Sequence, residues 1–213
     1  MKRKSTWGYK VKNKKPRAEE ESDDDDDEDT SELVWREDNH IFFYSDVDDK
    51  SIAKLNHFLF LINKENMKYV YPLKSKTLES SFPPIFLHIK SYGGCVLSAL
   101  STIDMIISSQ CPVTTIIEGY AASAATMLSI VGHKRYMHKN AHMLIHQMSS
   151  SFWGKMEEFK DEMKNLNRLE KKITKIYKKY GNIPDKKYKS ILKHDLWWSS
   201  SKCLKYDLID EVL

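Results

Sequence analysis

The sequence predicts an α/β domain built on a mostly parallel sheet, and three observations carry that prediction. Short β-rich apolar runs at residues 40–44 (HIFFY), 85–89 and 112–117 alternate with stretches whose apolar residues recur at three- and four-residue spacing. The second and third runs each lead into a turn that carries glycine: Ser91-Tyr92-Gly93-Gly94, and Gly119. A chain of 213 residues is long enough for one domain with a full core. Strands separated by helices in this way join through right-handed crossovers.

Taken in order, the chain opens on charge. The net charge of +4 hides two opposed blocks. Charged residues from Lys2 to Arg17 are all basic, those from Glu19 to Asp29 are all acidic, and Asp23 to Asp27 are unbroken. With no apolar periodicity, residues 1–32 are expected to be a disordered, self-neutralising extension, because they bury too little surface to offset chain entropy. Lys14-Lys15-Pro16-Arg17 gives a nuclear address or a nucleic-acid tether as the less favoured reading. No run has the length of a membrane span or the form of a secretory signal, so the expectation is a soluble, intracellular protein with no membrane contact. Three widely spaced cysteines, Cys95, Cys111 and Cys203, imply no disulfide framework.

The folded domain is placed at residues 33–213. After the 40–44 strand, Asp46 or Asp49 caps a helix carrying Ile52, Leu55, Phe58, Leu59 and Leu61. Residues 63–83 are polar and end at Pro83-Pro84, which reads as a surface insertion. The 85–89 strand, the Gly93-Gly94 turn and a helix over 95–108 follow, and then the 112–117 strand. The helix from Ala124 to Val131 is apolar throughout and therefore buried. Residues 136–146 read as one more strand, and residues 155–180 as a long amphipathic helix with Met156, Phe159, Met163, Leu166, Leu169, Ile173, Ile176 and Tyr180 on one side.

Ser123 stands where a strand turns into a helix. Main-chain N–H groups at a helix start lack partners and can face a developing negative charge, so the place suits a nucleophile. Alone, the same residue reads as a small hydroxyl in a packed turn. Gly93 and Gly94 allow positive φ and close backbone approach. His146, at the end of an apolar strand, is the candidate base, and Asp195 the candidate group that orients it. His138, His142 and His146 recur at four-residue spacing, as ligands on a helix would, but Tyr136 to Met148 reads as a strand entered through the Lys139-Asn140 turn and the acidic third ligand of a zinc peptidase is absent, so no metal is expected.

Four spaced motifs acting together resemble the proteolytic subunit of the Clp protease, the ClpP family. They are Gly93-Gly94 after a strand, Gly-Tyr-Ala-Ala-Ser at 119–123, Met-Leu-Ile-His-Gln at 143–147 and Asp-Leu-Trp at 195–197; Tyr206-Asp207-Leu208-Ile209-Asp210 looks like the family's ending. The resemblance covers roughly residues 34–213. It implies the ClpP/crotonase-like fold of repeated β-β-α units, with 155–180 as the handle helix. It further implies a serine endopeptidase with Ser123, His146 and Asp195 as its triad and the Gly94 and Ala124 N–H groups as its oxyanion hole. Two stacked heptameric rings would enclose the sites, an AAA+ ATPase would supply unfolded proteins and consume the ATP, and the chain itself would need no cofactor. The chain order Ser, His, Asp differs from those of chymotrypsin-like, subtilisin-like and α/β-hydrolase enzymes. Tyr92 and Met148 stand where the family has proline, residues 149–153 replace a glycine-rich segment, and the extension lacks the family's apolar gating loop. These departures motivate a second reading, a catalytically inactive ring or adaptor subunit; a third, from shared architecture, is a crotonase-type acyl-CoA enzyme.

Overall fold

A computed structural model of the chain describes residues 33–70 and 82–213. The expected charged extension over 1–32 and most of the insertion, 71–81, lie outside the described residues. Two strands, β1 (Val34–Glu37) and β2 (His40–Phe43), form an antiparallel hairpin, and α1 (Asp49–Val70) follows. Then come β3 (Ile85–Ser91), α2 (Val96–Ser108), β4 (Val113–Ala122) and α3 (Ala124–Ile130). Short strands β5 (Lys134–Met137) and β6 (His142–Leu144) precede the 25-residue helix α4 (Met156–Tyr180), and α5 (Asp185–Ile191), β7 (Trp197–Ser199), α6 (Ser200–Lys205) and β8 (Glu211–Val212) complete the chain.

The sheet runs β1-β2-β3-β4-β5-β8, parallel from β2 onward, as the alternation of strands and helices predicts. Strands β2 and β3 alternate. Ile41, Phe43, Ile85, Leu87 and Ile89 are buried, whereas Phe42, Phe86 and His88 between them are only partly so. The buried set meets Leu55, Leu59 and Ile62 of α1 and Ile103 and Ile106 of α2 in one core. Burying each such side chain stabilises the fold by about 2 kcal/mol.

Three expectations need correction. Residues 63–70 belong to α1 and not to an insertion. Their polarity concealed the helix because its side chains bind neighbouring segments: Asn63 accepts from the Cys111 N–H at 3.0 Å and the Ser109 hydroxyl at 3.1 Å, between α2 and β4, and Arg36 on β1 forks onto Glu65. The third strand does not stop near Gly119. It runs to Ala122 with Gly119 at φ +75°, and there it changes partner, from β5 at Thr114–Ile117 to β6 at Tyr120–Ala122. The single strand expected over 136–146 is therefore two, because β4 forks and each short strand follows one branch. β6 also takes β7 antiparallel, at His142–Ser199, Met143–Trp198 and Leu144–Trp197. Among the described residues no helix is long and apolar enough to cross a membrane.

Candidate active site

The fork in the sheet delivers Ser123 to a strained position. Its φ of 52° and ψ of −125° lie outside the usual regions for a residue with a side chain, and it caps α3 without a side-chain hydrogen bond to the helix. The surroundings fix it there. Its N–H donates to the Leu144 carbonyl on β6 at 2.9 Å, and its carbonyl accepts from the Thr126 N–H at 3.0 Å and the Thr126 hydroxyl at 2.6 Å. Thr126 in turn shares a hydrogen bond with the buried phenol of Tyr177, so the far end of α4 braces the first turn of α3.

The Gly93-Gly94 turn packs against the same point. A β-carbon at Gly93, whose φ is +92°, would lie 2.4 Å from the Ala122 carbonyl oxygen, 2.8 Å from Ser123 Cβ and 2.9 Å from the Ala124 nitrogen. Only glycine allows this approach. Val47 donates to the Gly93 carbonyl at 2.7 Å and accepts from the Cys95 N–H at 2.6 Å, forming a parallel bridge that straddles Gly94 and leaves the Gly94 N–H out of the bridge. Ala124 is the first residue of α3, so its N–H is among those with no partner inside the helix.

His146 lies two residues beyond β6, so the Ser123–Leu144 bond brings its segment alongside Ser123. Its side chain is 13% exposed, and its Nδ1 stands 4.0 Å from Asp195 Oδ1, longer than a hydrogen bond; the Asp195 side chain is 80% exposed. The structure thus packs Gly93 against Ser123 and Ala124, sets His146 on the segment just beyond the adjoining strand, and holds Asp195 at 4.0 Å from it. The other two histidines of the four-residue series go elsewhere. His138 follows β5 with Nε2 3.9 Å from Glu118, and His142 sits on β6 with its Nδ1 3.1 Å from the Asn140 carbonyl oxygen. Among the described residues no group of three His, Cys, Asp or Glu side chains is placed to hold a metal ion.

Sequence reasoning missed an aromatic group beside the site. Tyr92 stacks on Tyr120 with centroids 4.2 Å apart, and Trp197 meets both edge-on at 6.5 and 6.3 Å. With Gly119 and His142 they line an open cavity of about 410 Å³. The available signal was one aromatic residue in each of three motifs, visible as a group only once β4 and β7 flank β6.

The Clp protease family model matches residues 25–213. Curated relatives agree. An ATP-dependent Clp protease proteolytic subunit 2 of Treponema denticola is 32% identical over 154 residues, 71% of this chain and 77% of that protein. An ATP-dependent Clp protease proteolytic subunit of Deinococcus radiodurans is 31% identical over 131 residues, 61% of this chain and 64% of that protein. The glycine turn closed on a strained serine and the match across the whole described domain lead to one conclusion: this chain belongs to the Clp protease family and is a serine peptidase.

Proposed function

We infer that the chain is an endopeptidase whose nucleophile is Ser123, with His146 as base and Asp195 as the group that orients it. Ser123 Oγ attacks the scissile carbonyl while His146 takes its proton. The oxyanion so formed is met by the N–H groups of Gly94 and Ala124, each contributing on the order of 3 kcal/mol to the barrier reduction. His146 then returns the proton to the departing amine. Water, deprotonated by the same imidazole, releases the acyl group from Ser123. The observation that supports this reading is the close packing of Gly93, where an added β-carbon would stand 2.8 Å from Ser123 Cβ and 2.9 Å from the Ala124 nitrogen, so that the glycine turn lies beside the residue that bears the hydroxyl. The 4.0 Å separation of His146 and Asp195 is compatible with catalysis, since such contacts tighten when substrate and assembly order the site.

The natural substrate is an unfolded polypeptide, and the working form an assembly of this chain in two stacked heptameric rings. Support for assembly comes from the exposed apolar residues Trp153 (90%), Met156 (71%) and Met163 (56%), which a soluble protein covers in its working state. An AAA+ ATPase partner is in keeping with the two relatives' names as ATP-dependent subunits. ATP would be spent by that partner and no cofactor by this chain. Hydrolysis of an internally quenched peptide by the assembled protein tests the core of the reading: Ser123→Ala lowers kcat by about six orders of magnitude, and hydrolysis that persists unchanged refutes it.

A further inference from the structure

Away from the active site, a row of hydrogen-bonded side chains crosses the outer face of the sheet over three strands. His40 on β2 and His88 on β3 approach with Nδ1 of the first 2.9 Å from Nε2 of the second. His88 Nδ1 lies 2.8 Å from Glu118 Oε1 on β4, and the Tyr44 hydroxyl donates to Glu118 Oε2. The rings are clamped in place: His88 stacks on Phe42 at 4.5 Å and His40 on Phe86 at 4.7 Å. Partial burial raises the Glu118 carboxyl, but hydrogen bonds from Tyr44 and His88 outweigh it, so the group titrates below the usual glutamate range.

An ionised carboxylate only accepts, so the proton between Glu118 and His88 sits on His88 Nδ1. The His88 Nε2 to His40 Nδ1 contact then has two satisfied forms. With both rings neutral, His40 donates from Nδ1. With His88 an imidazolium, His88 donates, and the His40 proton resides on Nε2. A second proton leaves no satisfied form, because two N–H groups would face each other across 2.9 Å. The neighbouring charges act in the same direction. Glu118 favours the first proton, whereas Lys90, with Nζ 5.7 Å from the Tyr44 ring centre, and His138, 3.9 Å from Glu118, oppose a second when charged. On β1, Glu37 is turned to Trp35, accepting from its Nε1 at 3.3 Å.

We propose that His40, His88 and Glu118 form a one-proton relay that fastens the β1–β2 hairpin to the rest of the sheet. It takes up one proton with every bond intact by switching the His40 tautomer, and it releases the hairpin when a second proton enters. The relay does not rest on the peptidase reading.

Two readouts on the full-length assembled protein test it between about pH 8 and about pH 5, the interval in which imidazoles titrate. Long-range nitrogen–proton correlation of the histidine rings is expected to show His40 passing from the Nδ1–H to the Nε2–H tautomer as His88 becomes charged. Hydrogen exchange of residues 34–43, corrected for intrinsic rates, is expected to lose about tenfold in protection as the second proton enters, the worth of one hydrogen bond between polar groups. His40→Gln keeps a donor and an acceptor at that place but cannot take the proton, and its protection stays level across the range. A single His40 tautomer throughout, or the same loss of protection in His40→Gln, overturns the relay. The tautomer readout needs no variant, so it decides the matter even if His40→Gln does not fold.

Discussion

Gly93 is the residue on which the site's geometry most depends. A methyl group there meets backbone and Ser123 Cβ, none of which can yield without moving the nucleophile, and the φ of +92° strains any side chain. Gly93→Ala is expected to cost about 2 kcal/mol, lowering Tm by roughly 4–8 °C, and to abolish peptide hydrolysis in protein that is still folded at 25 °C. Calorimetry and a peptide assay on the same sample check both halves. At this scale the sequence was informative about identity and less so about environment. The four motifs pointed to Ser123, His146, Asp195 and the glycine turn. Nothing in them indicated that Asp195 would stand mostly in solvent, or that Tyr177, read as one more apolar position of a long helix, would hydrogen-bond the first turn of α3.

Elements meet at Arg135, on β5, whose guanidinium binds the Asp210 carboxylate and the carbonyls of Tyr180 at the end of α4 and Asp207 just after α6. Partial burial pulls the Asp210 carboxyl up, but the bonds from Arg135 more than offset it, so its pKa is lowered on folding. The sign follows from that direction: the stabilisation is present above the ordinary aspartate range and is lost as pH falls through it towards the folded value. Asp210→Asn should therefore flatten the fall in Tm between about pH 5 and about pH 3, and a slope equal to that of the parent protein would count against the assignment. Strongly periodic elements were legible in the sequence: β3, α2, α3 and α4 lie where the spacing of their apolar residues puts them. What failed were boundaries set by tertiary partners. Residues 63–70 are polar because they hydrogen-bond a neighbouring loop, and β5 and β6 are separate because β4 forks after Gly119. Neither cause leaves a periodic trace.

At the scale of the whole molecule, α4 extends for about 37 Å, and only its last turns are covered. Met156, Phe159 and Met163 lie on its exposed half, and a helix with such a stripe in a working protein has a partner. If this stripe carries the contact between the two rings proposed above, replacing Met156 and Phe159 together by Glu should halve the assembly's mass in native mass spectrometry; an unchanged mass would count against α4 as that contact. Whether this fold assembles a working serine nucleophile is decided by mass spectrometry of the intact assembly after exposure to a fluorophosphonate, with Ser123→Ala and His146→Ala beside it. Labelling at Ser123 is expected to be stoichiometric, lost in Ser123→Ala and sharply slowed in His146→Ala. An intact ring in which Ser123 takes no label would contradict it, and would leave this member of the family as a structural subunit.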